Sequence, residues 1–393
     1  MKMIKLISVV GARPNFIKIA PFLRAVRTHN ETASSAAPEI ESVLVHTGQH
    51  YDDRMSQNFL DSLQIPRVDH SLGIGSGSHA WQVGQTMIEF EKILEQEKPD
   101  WVVLVGDVNA TCACSITAKK AGVRVAHIEA GLRSFDLGMP EEINRLVTDR
   151  LSDLLLTTDE FADANLQREG LAKDKIRRVG NIMIDTLEKE RGAASALAIH
   201  TVLSENILDS GRGQESKTPS SVQLDNYALF TLHRPSNVDD PKVLNDIMRF
   251  VVDEVAQELS VVMPIHPRTR GALESTSLWT ELLSCPSFFL LEPIGYREML
   301  RLNMDAAIMM TDSGGLQEEC CVLGTPCLTL RENTERPITL LENGGLSLLA
   351  GNQIETIQAG YQRLRKLDPA PSRPPLWDGR TAERVVEALL ESN

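Results

Sequence analysis

The chain has 393 residues, 42% of them hydrophobic and 24% charged, so it is globular and too long for a single hydrophobic core. A formal net charge of −14 and a pI near 5.2 argue against broad electrostatic binding to nucleic acid or to an anionic membrane, so an anionic ligand would need local basic groups. Six cysteines, Cys112, Cys114, Cys285, Cys320, Cys321 and Cys327, include no CxxC pair and no histidine at zinc spacing; a reduced, cytoplasmic protein without a metal site is expected.

The opening MKMIKLISVVGARP has too short an apolar run, and no small-residue cleavage site, for a signal peptide. It reads as a strand at 5–11, followed by runs at 42–48, 101–107, 124–130 and 153–159. Each is continuously apolar instead of alternating, the pattern of a parallel strand buried on both faces. Longer helical patterns lie between them, as in βαβ units. A second series repeats the style at 227–233, 260–267, 288–293, 306–312 and 326–330. Residues 205–226, rich in Ser, Gly and charge, read as a linker or surface loop. The expected fold class is α/β, with two doubly wound domains joined near residue 190. The final RTAERVVEALLES, 380–392, is an amphipathic helix expected to pack back across one of them. No apolar stretch approaches the length of a membrane span.

Polar residues gather at the C-terminal ends of these strands: Gly11-Ala12-Arg13, Gly106-Asp107, His127 with Glu129, His233-Arg234, His266 and Asp312-Ser313. Ligands of open α/β sheets bind outside those ends, so the pattern predicts a cleft between two facing domains. In TDSGGLQEE, 311–319, Ser313 reads as an N-cap, and Gly314-Gly315 as a turn whose backbone N–H groups approach an anion at a helix N-terminus. Glu318 or Glu319, one turn in, is placed to accept from ribose hydroxyls, although a plain capped turn would carry the same letters. In GARPNFIKIAP, 11–21, Arg13 and Lys18 stand at a helix start, an unfavourable place for cations unless an anion arrives. Within HIEAGLRSFDLGMPEEINR, 127–145, the acids are candidates for acid–base work, whereas Arg145 and Glu142 fit better as a network tying down a loop. Asp107 reads equally as the N-cap of a following helix, and His233 and His266 as satisfied histidines at a core edge.

Taken in order, GARPNFIKIAP, TGQHYDDRMSQNF, LVGDVNAT, HIEAGLRS, MPEEINR, TLHRPSNVDD, PIHPRTR, EPIGYREM and TDSGGLQEECCVLGTPCLTLRENTERP resemble the non-hydrolysing UDP-N-acetylglucosamine 2-epimerases of the glycosyltransferase-B fold. The match runs from about residue 5 to about residue 352. It implies two Rossmann-like domains with UDP in the cleft, at 1–188 and 189–372, and a C-terminal helix, 373–393, returning to the first. The implied reaction is inversion at C2 of a UDP-sugar, by elimination of UDP to a 2-acetamidoglucal and re-addition, without metal or cofactor. By the same resemblance Asp107, Glu129 and Glu141 match the acid–base carboxylates, and His233 the histidine at the leaving phosphates. Arg13, Lys18, Ser313, Gly314, Gly315, Glu319 and Arg336 match the UDP-binding residues. Gln49, Arg234 and His266 match parts of a second, regulatory substrate site. A homodimer is implied as well.

Three places depart from many bacterial members: Asn15 stands where they have Glu, SFDLGMPEE where they have a longer aromatic loop, and HRPS where they have HRRE. The SFD and MPEEINR stretches resemble archaeal-type members and relatives acting on diacetamido-glucuronic acid sugars, which makes a modified UDP-sugar the alternative substrate. A glycosyltransferase of the same fold is the alternative from another class.

Overall fold

The computed structural model describes residues 3–32, 37–48, 65, 67–208 and 226–393. Gln49 and most of the 205–226 segment lie outside these described residues, as does the side chain of Arg13. The chain divides into two compact units, Met1–Thr186 together with Pro374–Asn393, and Leu187–Arg373.

One parallel sheet organises the first unit. Its strands are β1 (Met3–Val10), β2 (Glu39–His46), β3 (His70–Ser71), β4 (Trp101–Val105), β5 (Arg124–Ala130), β6 (Leu154–Thr157) and β7 (Ile176–Arg178), in the spatial order β3-β2-β1-β4-β5-β6-β7. The continuously apolar runs occupy its centre, where Ile7, Val102 and Val125 lie side by side in register and wholly buried. The edge strands β3 and β7 escape a reading of apolar runs because they are two and three residues long and carry His70, Arg177 and Arg178.

Helix Arg13–Thr32 lays Ile19, Phe22 and Val26 on Ile4, Leu6 and Val10, and the C-terminal helix Thr381–Glu391 adds Val385, Val386 and Leu389 to the same core. Each fully buried side chain of this kind contributes roughly 1.5–3 kcal/mol. Arg380, at the N-cap position of the C-terminal helix, offers no acceptor to its first N–H groups. Asp185 supplies one instead, accepting from the main chain of Thr381 (3.0 Å) and Ala382 (2.7 Å).

The second unit repeats the plan with β8 (Tyr227–Thr231), β9 (Ser260–Pro264), β10 (Phe288–Leu291), β11 (Ile308–Thr311), β12 (Cys327–Thr329) and β13 (Ser347–Leu349), in the order β10-β9-β8-β11-β12-β13. Phe230, Met263, Leu290, Met310 and Leu328 enter the core on one side of the sheet. Leu229, Val262, Phe289, Met309 and Cys327 enter another on the opposite side. Both faces being covered is why these runs do not alternate with polar residues.

In each sheet the chain builds outward in one direction and then returns to build in the other. The reversal falls between β1 and β4 in the first sheet and between β8 and β11 in the second. Loops leaving adjacent strands part there in opposite directions, opening the crevice in which doubly wound sheets bind ligands.

Candidate active site

The first switch point gathers Asn15, Lys18, Gly106, Asp107 and Glu129. Asn15, buried in the first turn of helix Arg13–Thr32, accepts from Ala12 N–H (2.9 Å) and donates to the Val105 carbonyl (2.9 Å), which joins the loops after β1 and β4. Gly106 has a φ of +71°, and a Cβ there would stand 3.3 Å from both Asn15 Nδ2 and Lys18 Nζ. Through the space it leaves, Lys18 makes a buried ion pair with Oε2 of Glu129. The other carboxylate oxygen, Oε1, is buried without a hydrogen-bond partner. Glu129 also holds a φ of +71°, and it sits where the β5–β6 register shifts between Ile128 and Ala130. A left-handed non-glycine residue at a bulge costs about 1–3 kcal/mol, which the surrounding pairs must offset, and such strain concentrates at functional sites.

Asp107 is held differently. Its Oδ2 lies 2.5 Å from Arg145 Nη1, its carbonyl accepts from Asn144 Nδ2 (2.9 Å), and its side chain is 28% exposed. Helix Asn109–Lys120 starts two residues later with Val108 at the cap position, so Asp107 is not its N-cap. Arg145 is itself buried and doubly bonded to Glu142 Oε2, at 2.8 and 2.5 Å. Glu142 in turn accepts from the main-chain N–H of Ser134 (3.0 Å) and Phe135 (2.9 Å). The Arg–Glu network read from the sequence thus ties the loop down and carries Asp107 at its far end. Glu141 is exposed in the first turn of helix Pro140–Leu151, and no hydrogen bond or ion pair joins it to Asp107 or Glu129.

Behind this turn His127 is fully buried, with Nε2 2.8 Å from the Gly106 carbonyl and Nδ1 2.7 Å from Asp149 Oδ1. A carbonyl and a carboxylate only accept, so both ring nitrogens must donate. Asp149 additionally accepts from Gly131 N–H (3.0 Å) and pairs with Arg133 (2.7 Å). Burial works against its charge, yet His127 and Arg133 outweigh burial and hold its carboxyl below the ordinary value.

At the second switch point Asp312, fully buried at the end of β11, faces the loop after β8. It accepts from the main-chain N–H of His233 (3.0 Å) and Arg234 (2.8 Å) and from Asn237 Nδ2 (3.2 Å), and its Oδ1 lies 2.7 Å from His233 Nδ1. Burial would raise its carboxyl, but His233 and these backbone donors hold it below the ordinary range. The His233 ring is 39% exposed and stands 5.5 Å from that of His266.

Helix Gly314–Leu323 begins beside these groups with Ser313 at its N-cap position, but the serine side chain does not cap it. Ser313 instead donates its main-chain N–H to Thr311 Oγ1 (3.0 Å). Gly314 has a second reason beyond an open turn: a Cβ would lie 2.8 Å from Arg336 Nη1. Arg336 packs there while pairing with Glu318 (2.7 Å), and Arg331 grips Glu335 with both terminal nitrogens (3.0 and 2.8 Å). Arg234 reaches the same Glu335 at 3.9 Å. Arginines gathered around a helix N-terminus favour an anion. Glu319 is buried one turn in; burial first, and neighbouring Glu318 next, push its carboxyl up to about 7 against the opposing effect of Tyr296 and Asn303.

The residues read from the sequence therefore fall into groups, with Lys18, Asp107 and Glu129 around one switch point and His233, Arg234, His266, Ser313, Gly314, Glu319 and Arg336 around the other. Asp149, Arg331 and Glu335 carry as much of the geometry and were not singled out by sequence reasoning; Asp312 was marked as a strand-end acid, but its hold on His233 was not read. Only Arg331 and Glu335 left a local signal, an Arg–Glu pair four residues apart.

Two doubly wound parallel sheets in one chain, each with charged groups and close-packed glycines at its switch point, define a two-domain Rossmann-like protein of the glycosyltransferase-B kind. The family model described as UDP-N-acetylglucosamine 2-epimerase matches residues 32–390, and the chain belongs to that family. It is 38% identical over 387 residues to the UDP-N-acetylglucosamine 2-epimerase of Methanocaldococcus jannaschii, covering 98% of both chains. It is also 38% identical over 334 residues to the UDP-2,3-diacetamido-2,3-dideoxy-D-glucuronate 2-epimerase of Pseudomonas aeruginosa, covering 84% of each. A crystal structure of the M. jannaschii enzyme in complex with UDP-GlcNAc and UDP matches this fold with a TM-score of 0.84 at 37% identity, over 99% of this chain and 100% of that one.

Proposed function

We propose that this chain interconverts UDP-N-acetylglucosamine and UDP-N-acetylmannosamine. The observation that carries the reading is Glu129, a strained, buried carboxylate with one oxygen on Lys18 and the other without a partner, beside Asp107 on its arginine. The C2 hydrogen of the sugar is not next to a carbonyl, so direct abstraction to an enolate is closed. A carboxylate takes the C2 proton while the C1–O bond breaks, giving 2-acetamidoglucal and UDP. The proton then returns to the opposite face of C2, and the UDP oxygen adds back to C1. Acid–base groups for both faces are the task of Asp107 and Glu129, with exposed Glu141 as the third candidate.

In this reading the second unit handles the diphosphate. The first-turn N–H groups of helix Gly314–Leu323, with Ser313, Gly315 and Arg336, receive it, and His233 meets the leaving oxygen. Arg13 and Lys18 contribute from the first unit, and Glu319 accepts from the ribose. Arg234, His266 and Gln49 belong to a second substrate site. No metal or other cofactor takes part. A cytoplasmic homodimer completes the reading, in keeping with six free cysteines.

NMR of the protein with UDP-N-acetylglucosamine in D2O tests the reaction: deuterium entering C2 together with a manno product is the expected result. An unchanged spectrum sinks this substrate. The second reading, a diacetamido-glucuronic UDP-sugar, is favoured by the equal identity to the Pseudomonas enzyme and is tested with that substrate.

A further inference from the structure

Asp312 presents a problem of charge. It is a buried carboxylate whose surroundings, the main-chain N–H groups of His233 and Arg234 and the amide of Asn237, are neutral donors. A buried charge needs a counter-charge as well as hydrogen bonds. Arg234 is the nearest permanent cation in sequence, but its Nε donates to the Asp312 carbonyl (3.1 Å), and its terminal nitrogen turns to Glu335 (3.9 Å). What faces the carboxylate is the His233 ring, with Nδ1 at 2.7 Å.

We propose that Asp312 is a positioning residue that fixes His233 as an imidazolium, with Nδ1–H on the carboxylate and Nε2–H directed at the leaving diphosphate. The second half rests on the epimerase reading; the first does not. With Nδ1–H committed to Asp312, a neutral ring would present Nε2 as a bare acceptor, which repels a phosphate oxygen. Only the protonated ring presents a donor there, and the buried carboxylate stabilises that form. Asp312 thus acts on the ligand through the ring without touching it.

The neighbouring ring has the complementary state. His266 Nδ1 accepts from Arg268 N–H at 3.2 Å, so its proton sits on Nε2 and the ring is neutral. Burial, then the charge of His233, lowers its pKa from the ordinary value. One charged and one neutral imidazole 5.5 Å apart avoid the repulsion of two cations. The charged groups facing this pair are Asp312, Arg234 with Glu335, and Arg268, which is itself bound to Asp239 at 2.6 Å.

Nitrogen-15 NMR of histidine-labelled full-length protein, with His233→Gln to assign the ring, reads the tautomer directly. The expected spectrum at neutral pH has both Nδ1 and Nε2 of His233 protonated. A ring that carries a single proton there, on either nitrogen, overturns the proposal, and this wild-type measurement decides it even if a variant fails to fold. Calorimetry with UDP across pH follows. In Asp312→Asn, whose amide oxygen still accepts from Nδ1–H but carries no charge, UDP affinity at neutral pH should fall tenfold or more, and its decline with rising pH should start at lower pH. A merely structural Asp312 would change stability and leave that pH profile in place, which overturns the proposal. Both nitrogens protonated in a wild type that does not bind UDP upholds the positioning and overturns the diphosphate assignment.

Discussion

Lys18 and Glu129 form a buried ion pair across the first switch point, and Glu129 holds its end from a left-handed backbone conformation. The pair explains how a cation can sit at the start of helix Arg13–Thr32 without an anionic ligand: its counter-charge comes from β5. Lys18→Met would leave the Glu129 carboxylate buried and uncompensated, at a cost of about 3–5 kcal/mol. Urea unfolding should show that loss, and the double variant Lys18→Met with Glu129→Gln should recover most of it. Recovery of stability without recovery of epimerisation would separate the structural role of the pair from its chemical one.

Gly314→Ala places a methyl group 2.8 Å from Arg336 Nη1, too close for both to stay where they are. Arg336 is buried and bound to Glu318, so it cannot swing freely into solvent. The expected cost is about 1–3 kcal/mol in stability from overpacking. UDP affinity, measured by calorimetry, should drop at least tenfold because the guanidinium is pushed off the helix N-terminus. Unaltered affinity would remove Arg336 from the anion site.

Glu319 gives the second unit a distinctive pH dependence. Its carboxyl, raised from 4.5 to about 7, holds a proton more tightly in the folded state than in the unfolded one. That contribution to stability is fully present below about pH 4.5 and declines as pH rises towards 7, by at most about 1.4 kcal/mol per pH unit. Asp312 and Asp149, lowered by their partners, act in the opposite sense: their contribution is present above the unfolded value of 3.8 and is lost as pH falls through their folded values. Comparing wild type with Glu319→Gln isolates the first effect. The difference in unfolding free energy should favour the variant increasingly between pH 4.5 and 7 and then level off.

Asp185→Ala removes the carboxylate that accepts from Thr381 and Ala382. Loss of such a cap typically costs about 0.5–2 kcal/mol. Hydrogen exchange should quicken first in the C-terminal helix, which places Val385 and Leu389 in the first core. Equal acceleration over the whole chain would show that the helix does not open separately.

The sequence alone located the central strands, because strands buried on both faces must be continuously apolar; each such run forms a strand of one of the two sheets, and all but the one at 288–293, the edge strand β10, lie inside their sheet. It also located the loops that matter, since the carboxyl ends of parallel strands are where polar residues are otherwise hard to accommodate. Ser313 shows the limit: its position at the helix start was legible, but the direction of its side chain was not. The roles of Asp312 and Glu335 were illegible for a related reason, since their partners His233 and Arg234 come from another loop.

Composition and the order of the motifs determined the fold class and the family, because the two-sided burial of parallel strands and the residues at their ends are written locally. Which side chains meet was decided only by the tertiary structure. Lys18 finds Glu129 across 111 residues and Arg145 finds Asp107 across 38. The Asp312 carboxylate closes on His233 across the junction of β8 and β11, and Gly314 makes room for Arg336. The order of strands in each sheet sets these encounters, and that order follows from how the whole chain buries its apolar runs, which no local stretch encodes.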